Sequence, residues 1–373
     1  MFSRLQKNVD WVIFFSIIPL VIAGLFTMNS FTADNYFFHR QLIWVAVSLS
    51  IFFVFSAIDW RFLRSSGVLV SLYLFAMGFL SAIFILGHTV KGAKSWLSFG
   101  IFAIQPSDFV KLLVILVLAK YFTRRHVEIA HIKHIIISGL YAIIPIVLVL
   151  LQPDFGSAVI IGAIWLGMIM VSGISKKHLA FLGISCAVFF SILWIGVFAP
   201  YQKDRIKNFL SPLSDIRGSG YNAFQSQIAV GSGQILGKGV GFGTQSRLAF
   251  LPEFETDFVF SAFAEEWGFV GVMVLFLLYA IIVMRIIAAA HRGATNFETL
   301  YALGLAIFFM THFIINVGMN MGLLPVTGIP LPFLSYGGSH LLAEFGGLGI
   351  LMGMRGYAPA ANRGDAHNEF VGF

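Results

Sequence analysis

GKGVGFGTQSRLAFLPEFETDFVFSAFAEEWGFVG, Gly237 to Gly271, is the stretch whose reading decides the rest. It opens as a glycine-rich polar loop and closes as the start of an apolar helix. Between those ends it gathers Glu253, Glu255, Asp257, Glu265 and Glu266, in a chain only 11% charged. Carboxylates concentrated at the border between a loop and an apolar run mark a water-facing end of a membrane bundle. The remaining sequence reads as the housing that holds this end.

The composition supports that reading. The 373 residues are 58% hydrophobic, with a mean hydropathy of +0.88. A soluble domain is nearer half apolar and about a quarter charged. The expected fold class is an all-α polytopic membrane protein, one domain over 1–373, since no polar stretch is long enough for a second core. The net charge of +7 sits mostly in short loops between apolar runs, so it sets topology and calls for no nucleic-acid partner. The one cysteine, Cys186, lies in an apolar run and reads as a small buried hydrophobe. MFSRLQKNVDW leads straight into apolar sequence without a small-residue cleavage site, so the first run reads as a span and not a cleaved signal.

A span needs about 20 apolar residues. Ten transmembrane helices are expected, at roughly 11–29, 41–58, 67–87, 107–122, 132–151, 156–173, 178–199, 258–284, 297–318 and 338–354. The fourth is weakened by Asp108 and Lys111, the last by its glycines. Lys and Arg fill alternate loops (Arg61 and Arg64, Arg124 and Arg125, Lys176 and Lys177, Arg285 and Arg292), whereas the opposite short loops hold Arg40, Lys91 and Lys94. This asymmetry puts both termini and the tail 355–373 in the cytoplasm. Residues 200–257 then form one long extracytoplasmic loop between helices 7 and 8, with no convincing helix or strand period. Residues 319–337, MNMGLLPVTGIPLPFLSYG, are apolar, proline-rich and uncharged. Such backbone at membrane depth has to be buried in protein or line a cavity, so a re-entrant segment is expected.

Charged residues inside spans cost about 2.5–3.5 kcal/mol each at the bilayer centre and need partners or a wet cavity. Asp108 and Lys111 are three apart and share a helix face. They read as an ion pair that locks helices, as a charged wall of a substrate cavity, or as both. Asp257 follows Thr256, a candidate N-cap, and a carboxylate there is favoured by the helix dipole. Its neighbours Phe254, Phe258 and Phe260 instead suit a general base in an apolar setting. Glu265 comes about 12 Å further along the helix, and the partners of Glu265, Glu266 and Glu344 are not legible. Outer-face cations (Lys91, Arg205, Lys238) and the glycines around Gly237 to Gly243 suggest a site for phosphate or an anionic lipid. His126, His131 and His134 lack metal-ligand spacing and read as loop residues. No ATP-binding glycine motif and no G-x-S-x-G elbow occurs.

Six motifs run in a set order: KGAKSWL (91–97), QPSDFVKL (105–112), QPDFGSA (152–158), YNAFQSQIAVGSGQILGKGVGFGTQ (221–245), LPEFETDFVFSAFAEEWGFVG (251–271) and GMNMGLLPVTGIPLPFLSYGGS (318–339). Together they resemble the SEDS family of shape, elongation, division and sporulation proteins, across essentially the whole chain. The short termini resemble the elongation branch more than the division branch. The resemblance implies a ten-helix peptidoglycan glycosyltransferase that polymerises lipid II at the outer face of the bacterial cytoplasmic membrane. It further implies a class B penicillin-binding protein as partner, alongside lipid II, the nascent glycan strand and membrane lipids. The family's essential aspartate falls on Asp257, and the acid and lysine of its QPSE-x-x-K motif fall on Asp108 and Lys111. Three positions depart from the family pattern: Asp108 where Glu is usual, Glu255 where His is common, and Ser95 where Arg is frequent.

On that basis Asp257 is the expected base for the acceptor hydroxyl. Lys111, Arg205 and Lys238 are the expected cations for the pyrophosphate. Asp108, Lys91, Trp96, Gln227, Thr244 and Glu265 complete the expected substrate-binding set. No cofactor is expected; a divalent cation would suit the leaving group, but no ligand motif marks one. Two other readings are a lipid II flippase, which requires access from both faces, and a non-catalytic scaffold that activates the penicillin-binding protein, in which Asp257 is only a helix cap.

Overall fold

The computed structural model describes residues 7–29, 36–86, 88–90, 93–99, 102–123, 132–196, 200–210, 220–248 and 250–356. Long runs of apolar side chains with few interruptions satisfy their own backbone as helices, the only open-chain solution available in lipid. In order these are α1 (Trp11–Asn29), α2 (Tyr36–Ala57), α3 (Ser66–Leu86), α4 (Pro106–Thr123), α5 (Ile132–Leu151), α6 (Phe155–Val171) and α7 (Lys176–Gly196). Next come α8 (Pro200–Leu210), α9 (Tyr221–Ser232), α10 (Thr244–Arg247), α11 (Val259–Ala290), α12 (Asn296–Asn320) and α13 (Gly338–Arg355). Each apolar run read from the sequence falls on one of these helices. Among the described residues, α1, α2, α3, α5, α11 and α12 are long and apolar enough to cross a membrane, and α6 is a shorter apolar helix. The protein is thus a predominantly helical, multi-pass membrane protein.

Three expectations need correction. Residues 200–257 are not irregular: they carry α8, α9 and α10. The α8 sequence PYQKDRIKNFL is too polar to show an apolar run, which hid it. The fold is also not purely α. Strands β1 (His88–Val90), β2 (Ala93–Phe99) and β3 (Phe102–Ile104) form an antiparallel sheet in the order β1-β2-β3, with Leu97 opposite Ile104. Finally, the eighth apolar run is not one continuous helix. Gly268 has φ 63° and ψ −167°, so α11 is broken there into a short first piece and the long piece 269–290.

In the bundle, α13 lies along α2, α11 packs between α1 and α12, and α4 packs on α12 and α6. Fully buried Ile115, Leu118, Tyr301, Leu305, Phe308 and Leu348 fill the centre. In the loop 321–337 the second half is buried in protein: Leu331 and Leu334 have no exposed surface and Phe333 has 1%, whereas Met321, Leu323 and Gly328 in the first half are exposed. It lies against α1, where a Cβ on Gly24 would come within 2.3 Å of the Leu334 carbonyl oxygen.

On the face carrying the helix ends of Arg285 and Arg355, those two guanidinium groups meet one carboxylate oxygen of Asp10, at 2.6 and 2.8 Å. Asp10 Oδ1 also accepts from the backbone N–H groups of Val12 and Ile13, which caps α1. This knot ties the start of α1 to the ends of α11 and α13.

Candidate active site

Asp257 sits in a run of turns just ahead of α11. Glu253, with φ 55°, reverses the chain, and its carbonyl accepts from the N–H groups of Thr256 and Phe258 at 3.2 Å. Thr256 is not the N-cap. Phe258 occupies that position without a side-chain cap, and the Thr256 hydroxyl turns back to the Glu253 carboxylate at 3.2 Å. The backbone of Asp257 is clamped instead from α12. The side-chain amides of Asn316 and Asn320, one turn apart and fully buried, both donate to its carbonyl oxygen at 3.0 Å. Phe254 and Phe258 are buried on either side in sequence, so apolar walls flank a half-buried carboxylate. The carboxylate faces the backbone of Gly328, where an added Cβ would lie 3.3 Å from Asp257 Oδ2.

Gly328 belongs to the loop 321–337, which brings the motifs together. Asn316 donates to the Ile329 carbonyl at 2.7 Å, and Tyr279 on α11 donates to that of Pro332. The Ser335 hydroxyl donates to the Thr256 carbonyl at 2.7 Å, and the Tyr336 N–H donates to that of Glu255 at 2.7 Å. Thr327 and Ile329 lie against Gly156, at the start of α6. There Asp154 caps the helix through Ser157 N–H and accepts from the Gln105 side chain at 2.7 Å. The motifs at 105–112, 152–158, 251–271 and 318–339, distant in sequence, are therefore one contiguous assembly.

Asp108 and Lys111 form the pair their spacing predicts, at 3.0 Å, both buried. They do not stand alone. Ser339 donates to Asp108 Oδ2 at 2.9 Å, and His340 Nδ1 lies 3.6 Å from Asp108 Oδ1. His340 Nε2 is 2.8 Å from Glu344 Oε1, out of line for a hydrogen bond. Glu344 Oε2 accepts from the Phe333 N–H at 3.0 Å. The imidazole of His312 packs against that of His340, with centroids 4.8 Å apart and the rings tilted by 39°. Through Ser339 and His340 on α13 the pair joins α4 to that helix.

The glycine-rich stretch does something other than line a phosphate site. Its backbone completes the break in α11. Lys238 and Gly239 N–H donate to the carbonyls of Glu265 and Glu266, both at 3.0 Å. Phe269 and Val270 N–H donate to those of Gln234 and Ile235, at 2.9 and 3.1 Å. Gly241 N–H donates to Glu266 Oε1 at 2.7 Å. The two backbones approach so closely that a Cβ on Gly268 would come within 2.2 Å of the Gly237 nitrogen. The N–H groups of Gly237, Lys238, Gly239, Gly241 and Phe242 are thus taken by the protein's own acceptors.

Of the expected substrate-binding residues, Lys238, Thr244 and Glu265 are brought together, but on one another. Lys238 Nζ reaches Glu265 Oε1 at 2.7 Å and Thr244 Oγ1 at 2.8 Å; Thr244 Oγ1 and Gln245 N–H donate to the same carboxylate. Glu265 has no exposed surface, so it holds the loop from within. Gln227 packs its amide over Gly322, which has φ 73°. Trp96 is half-buried on β2, opposite His88. Lys91 and the side chain of Arg205 lie outside the described residues, though the Arg205 backbone belongs to α8. Sequence reasoning missed Asn316, Asn320, Ser339 and His340. Its available signals were the four-residue spacings Asn316/Asn320 and His340/Glu344 inside apolar runs.

Residues 7–358 match the family of cell cycle proteins that comprises FtsW, RodA and SpoVE. The chain is similar to the peptidoglycan glycosyltransferase MrdB of Escherichia coli K12, 37% identical over 333 residues, covering 89% of each chain. It is also similar to a chain solved in a peptidoglycan synthase complex described as coordinating polymerization and crosslinking. There the TM-score is 0.80 at 29% identity, over 94% of this chain and 98% of the other. A third likeness is the rod shape determining protein RodA of Thermus thermophilus, with TM-score 0.69 and 28% identity over 93% and 96% of the two chains. With the family match spanning nearly its whole length, and its motifs gathered into one assembly around Asp257, the chain belongs to the SEDS family of FtsW, RodA and SpoVE.

Proposed function

We propose that this protein is a peptidoglycan glycosyltransferase that polymerises lipid II into glycan strands during cell-wall elongation. The observation that carries the reading is the presentation of Asp257. Its backbone is fixed by two buried amides, while its carboxylate stays half-buried beside the Cβ-less Gly328. The similarity to a named peptidoglycan glycosyltransferase over 89% of both chains supports the same chemistry.

In this reading the acceptor sugar hydroxyl loses its proton to Asp257 as its oxygen attacks the donor's anomeric carbon. A new C–O bond forms with inversion, the bond to pyrophosphate breaks, and polyprenyl pyrophosphate leaves with the electron pair. General-base help of this kind contributes about 10²–10⁴-fold. Lys238 and Lys111 are engaged with Glu265 and Asp108. We therefore take Arg205 and Lys91 as the pyrophosphate contacts, with Trp96 and Gln227 beside the sugar and lipid. The reaction as drawn needs no cofactor.

The finer topology belongs to the same proposal: ten spans, both termini cytoplasmic, residues 200–257 on the outer face, and residence in the bacterial cytoplasmic membrane. The likeness to a chain of a synthase complex that coordinates polymerization and crosslinking supports a transpeptidase partner, which we take to be a class B penicillin-binding protein. The sealing of Asp108, Lys111 and Glu344 inside the bundle speaks against the flippase reading, which needs a wet path.

The test is polymerisation of purified lipid II by the protein with its partner. Asp257→Ala is expected to lower the rate at least about 10²-fold. Wild-type glycan synthesis by a folded, partner-bound Asp257→Ala protein would falsify the assignment.

A further inference from the structure

The geometry points to Glu344, with His340, as positioning residues for Asp257. This inference rests on the reading of Asp257 as the base and adds the device that keeps it in place.

Glu344 has no exposed surface and His340 has 4%. A carboxylate so deep in a membrane bundle is costly unless its oxygens are engaged. One oxygen faces His340 Nε2 at 2.8 Å, and through that ring the Asp108–Lys111 pair. Lys111 alone balances one of the two carboxylates, and the imidazole lies between them, close to both. The other oxygen takes the backbone N–H of Phe333 at 3.0 Å. An ion pair that served only to lock helices would have no need of that bond.

Phe333 is where such an anchor is required. Its φ is 61°, a left-handed conformation that a bulky residue keeps only when its surroundings impose it. Its ring is pinned between Phe309 and Phe345, at centroid distances of 5.3 and 5.4 Å, and its N–H by Glu344. Two residues later Ser335 donates to the Thr256 carbonyl, and Tyr336 holds that of Glu255. The path from the buried pair to the residue preceding Asp257 therefore runs through one loop with a fixed backbone. Releasing Phe333 lets that loop relax and moves Asp257 relative to its substrate without touching the substrate site.

The experiment compares Glu344→Leu, Glu344→Gln, Ser335→Ala and Asp257→Ala in the full-length protein with its partner, using lipid II in liposomes. Melting temperature and partner binding are measured for each. Misplacement of a reacting group by about 1 Å costs up to about 100-fold, so Glu344→Leu is expected to lower kcat by roughly 10- to 100-fold, with KM within about twofold. Ser335→Ala, which leaves the charges alone, should show the same kcat-selective loss. Glu344→Gln retains an acceptor for the Phe333 N–H and should restore kcat to within about threefold of wild type. Hydrogen exchange of residues 253–257 should quicken in Glu344→Leu and not in Glu344→Gln. Should Glu344→Leu not fold, Ser335→Ala and Glu344→Gln decide alone.

Wild-type kcat in folded Glu344→Leu or Ser335→Ala, with Asp257→Ala inactive, overturns the positioning role and leaves the base assignment standing. A Glu344→Gln protein as impaired as Glu344→Leu overturns it too, because charge would then carry the effect. Wild-type turnover by Asp257→Ala removes the base assignment and this inference with it.

Discussion

The Asn320 side chain donates to the main-chain carbonyl of Asp257 at 3.0 Å, fastening the last turn of α12 to the residue that precedes α11 by two. The same amide donates to the Asn316 carbonyl at 2.8 Å, and its oxygen accepts from the Ser261 hydroxyl at 2.7 Å. Asn320→Ala removes one of the two amides on the Asp257 carbonyl together with the Ser261 contact, at a cost of about 0.5–1.5 kcal/mol for each hydrogen bond lost. Both the melting temperature and the rate of glycan synthesis are expected to fall. Asn320→Asp, which removes the donors and adds a charge beside Asp257, is expected to be no better. A calorimetric scan alongside the lipid II assay checks both.

A side chain at Gly328 is disfavoured for two separate reasons. Its φ of 72° costs an L-residue about 1–2 kcal/mol, and a Cβ would sit 3.3 Å from Asp257 Oδ2. Gly328→Ala is therefore expected to slow polymerisation by roughly tenfold or more, while the fold survives. Retention of full turnover would mean that the carboxylate does its work elsewhere.

Lys238 neutralises a carboxylate that has no exposed surface. Removing one partner of a buried pair typically costs about 3–5 kcal/mol. Lys238→Met is expected near the lower end, since Thr244, Gln245 N–H and Ser232 still donate to Glu265. The double change Lys238→Met with Glu265→Gln should recover much of the loss. Melting temperatures of the single and double variants measure the coupling.

Asp10 gives a pH signature. Burial pushes its carboxyl up, but the Arg285 hydrogen bond and the charges of Arg355 and Arg285 outweigh this and hold it below its ordinary value of 3.8. A folded value below the unfolded one means that the contribution is complete above the unfolded value and fades as pH drops through the folded one. Asp10→Asn is therefore expected to melt lower than wild type at neutral pH, with the gap closing as the pH falls below 3.8. A gap that stays constant across that range would contradict the assignment.

What could be read in advance was local in origin. Apolar run length located the long helices, and the spacing of Asp108 and Lys111 gave their pairing. The uncharged, proline-rich composition of 319–337 called for burial or a cavity, and the structure buries most of 329–335 while leaving Met321, Leu323 and Gly328 exposed. The rest depended on contacts between residues far apart in the chain. Asn316 and Asn320 look like ordinary helix-end amides until α11 is brought alongside them. His340 and Glu344 are four residues apart on one helix, but nothing local says that Asp108 and Phe333 meet them. The glycines at 237–243 misled for a related reason. A backbone able to cradle an anion is equally able to dock on another backbone, and only the break at Gly268 shows which it does.

That break also bears on how the protein is made. Residues 234–239, which supply the carbonyl and N–H partners for the gap in α11, leave the ribosome before α11 itself. A helix with an open seam would be a poor candidate for insertion if its complement came later, because unpaired peptide groups cost several kcal/mol each in hydrocarbon. Here the complement is already waiting when the seam arrives. Gene order along this segment is thus part of the folding recipe, and a circular permutation that moved 220–248 behind α11 would keep every contact while losing that advantage in time.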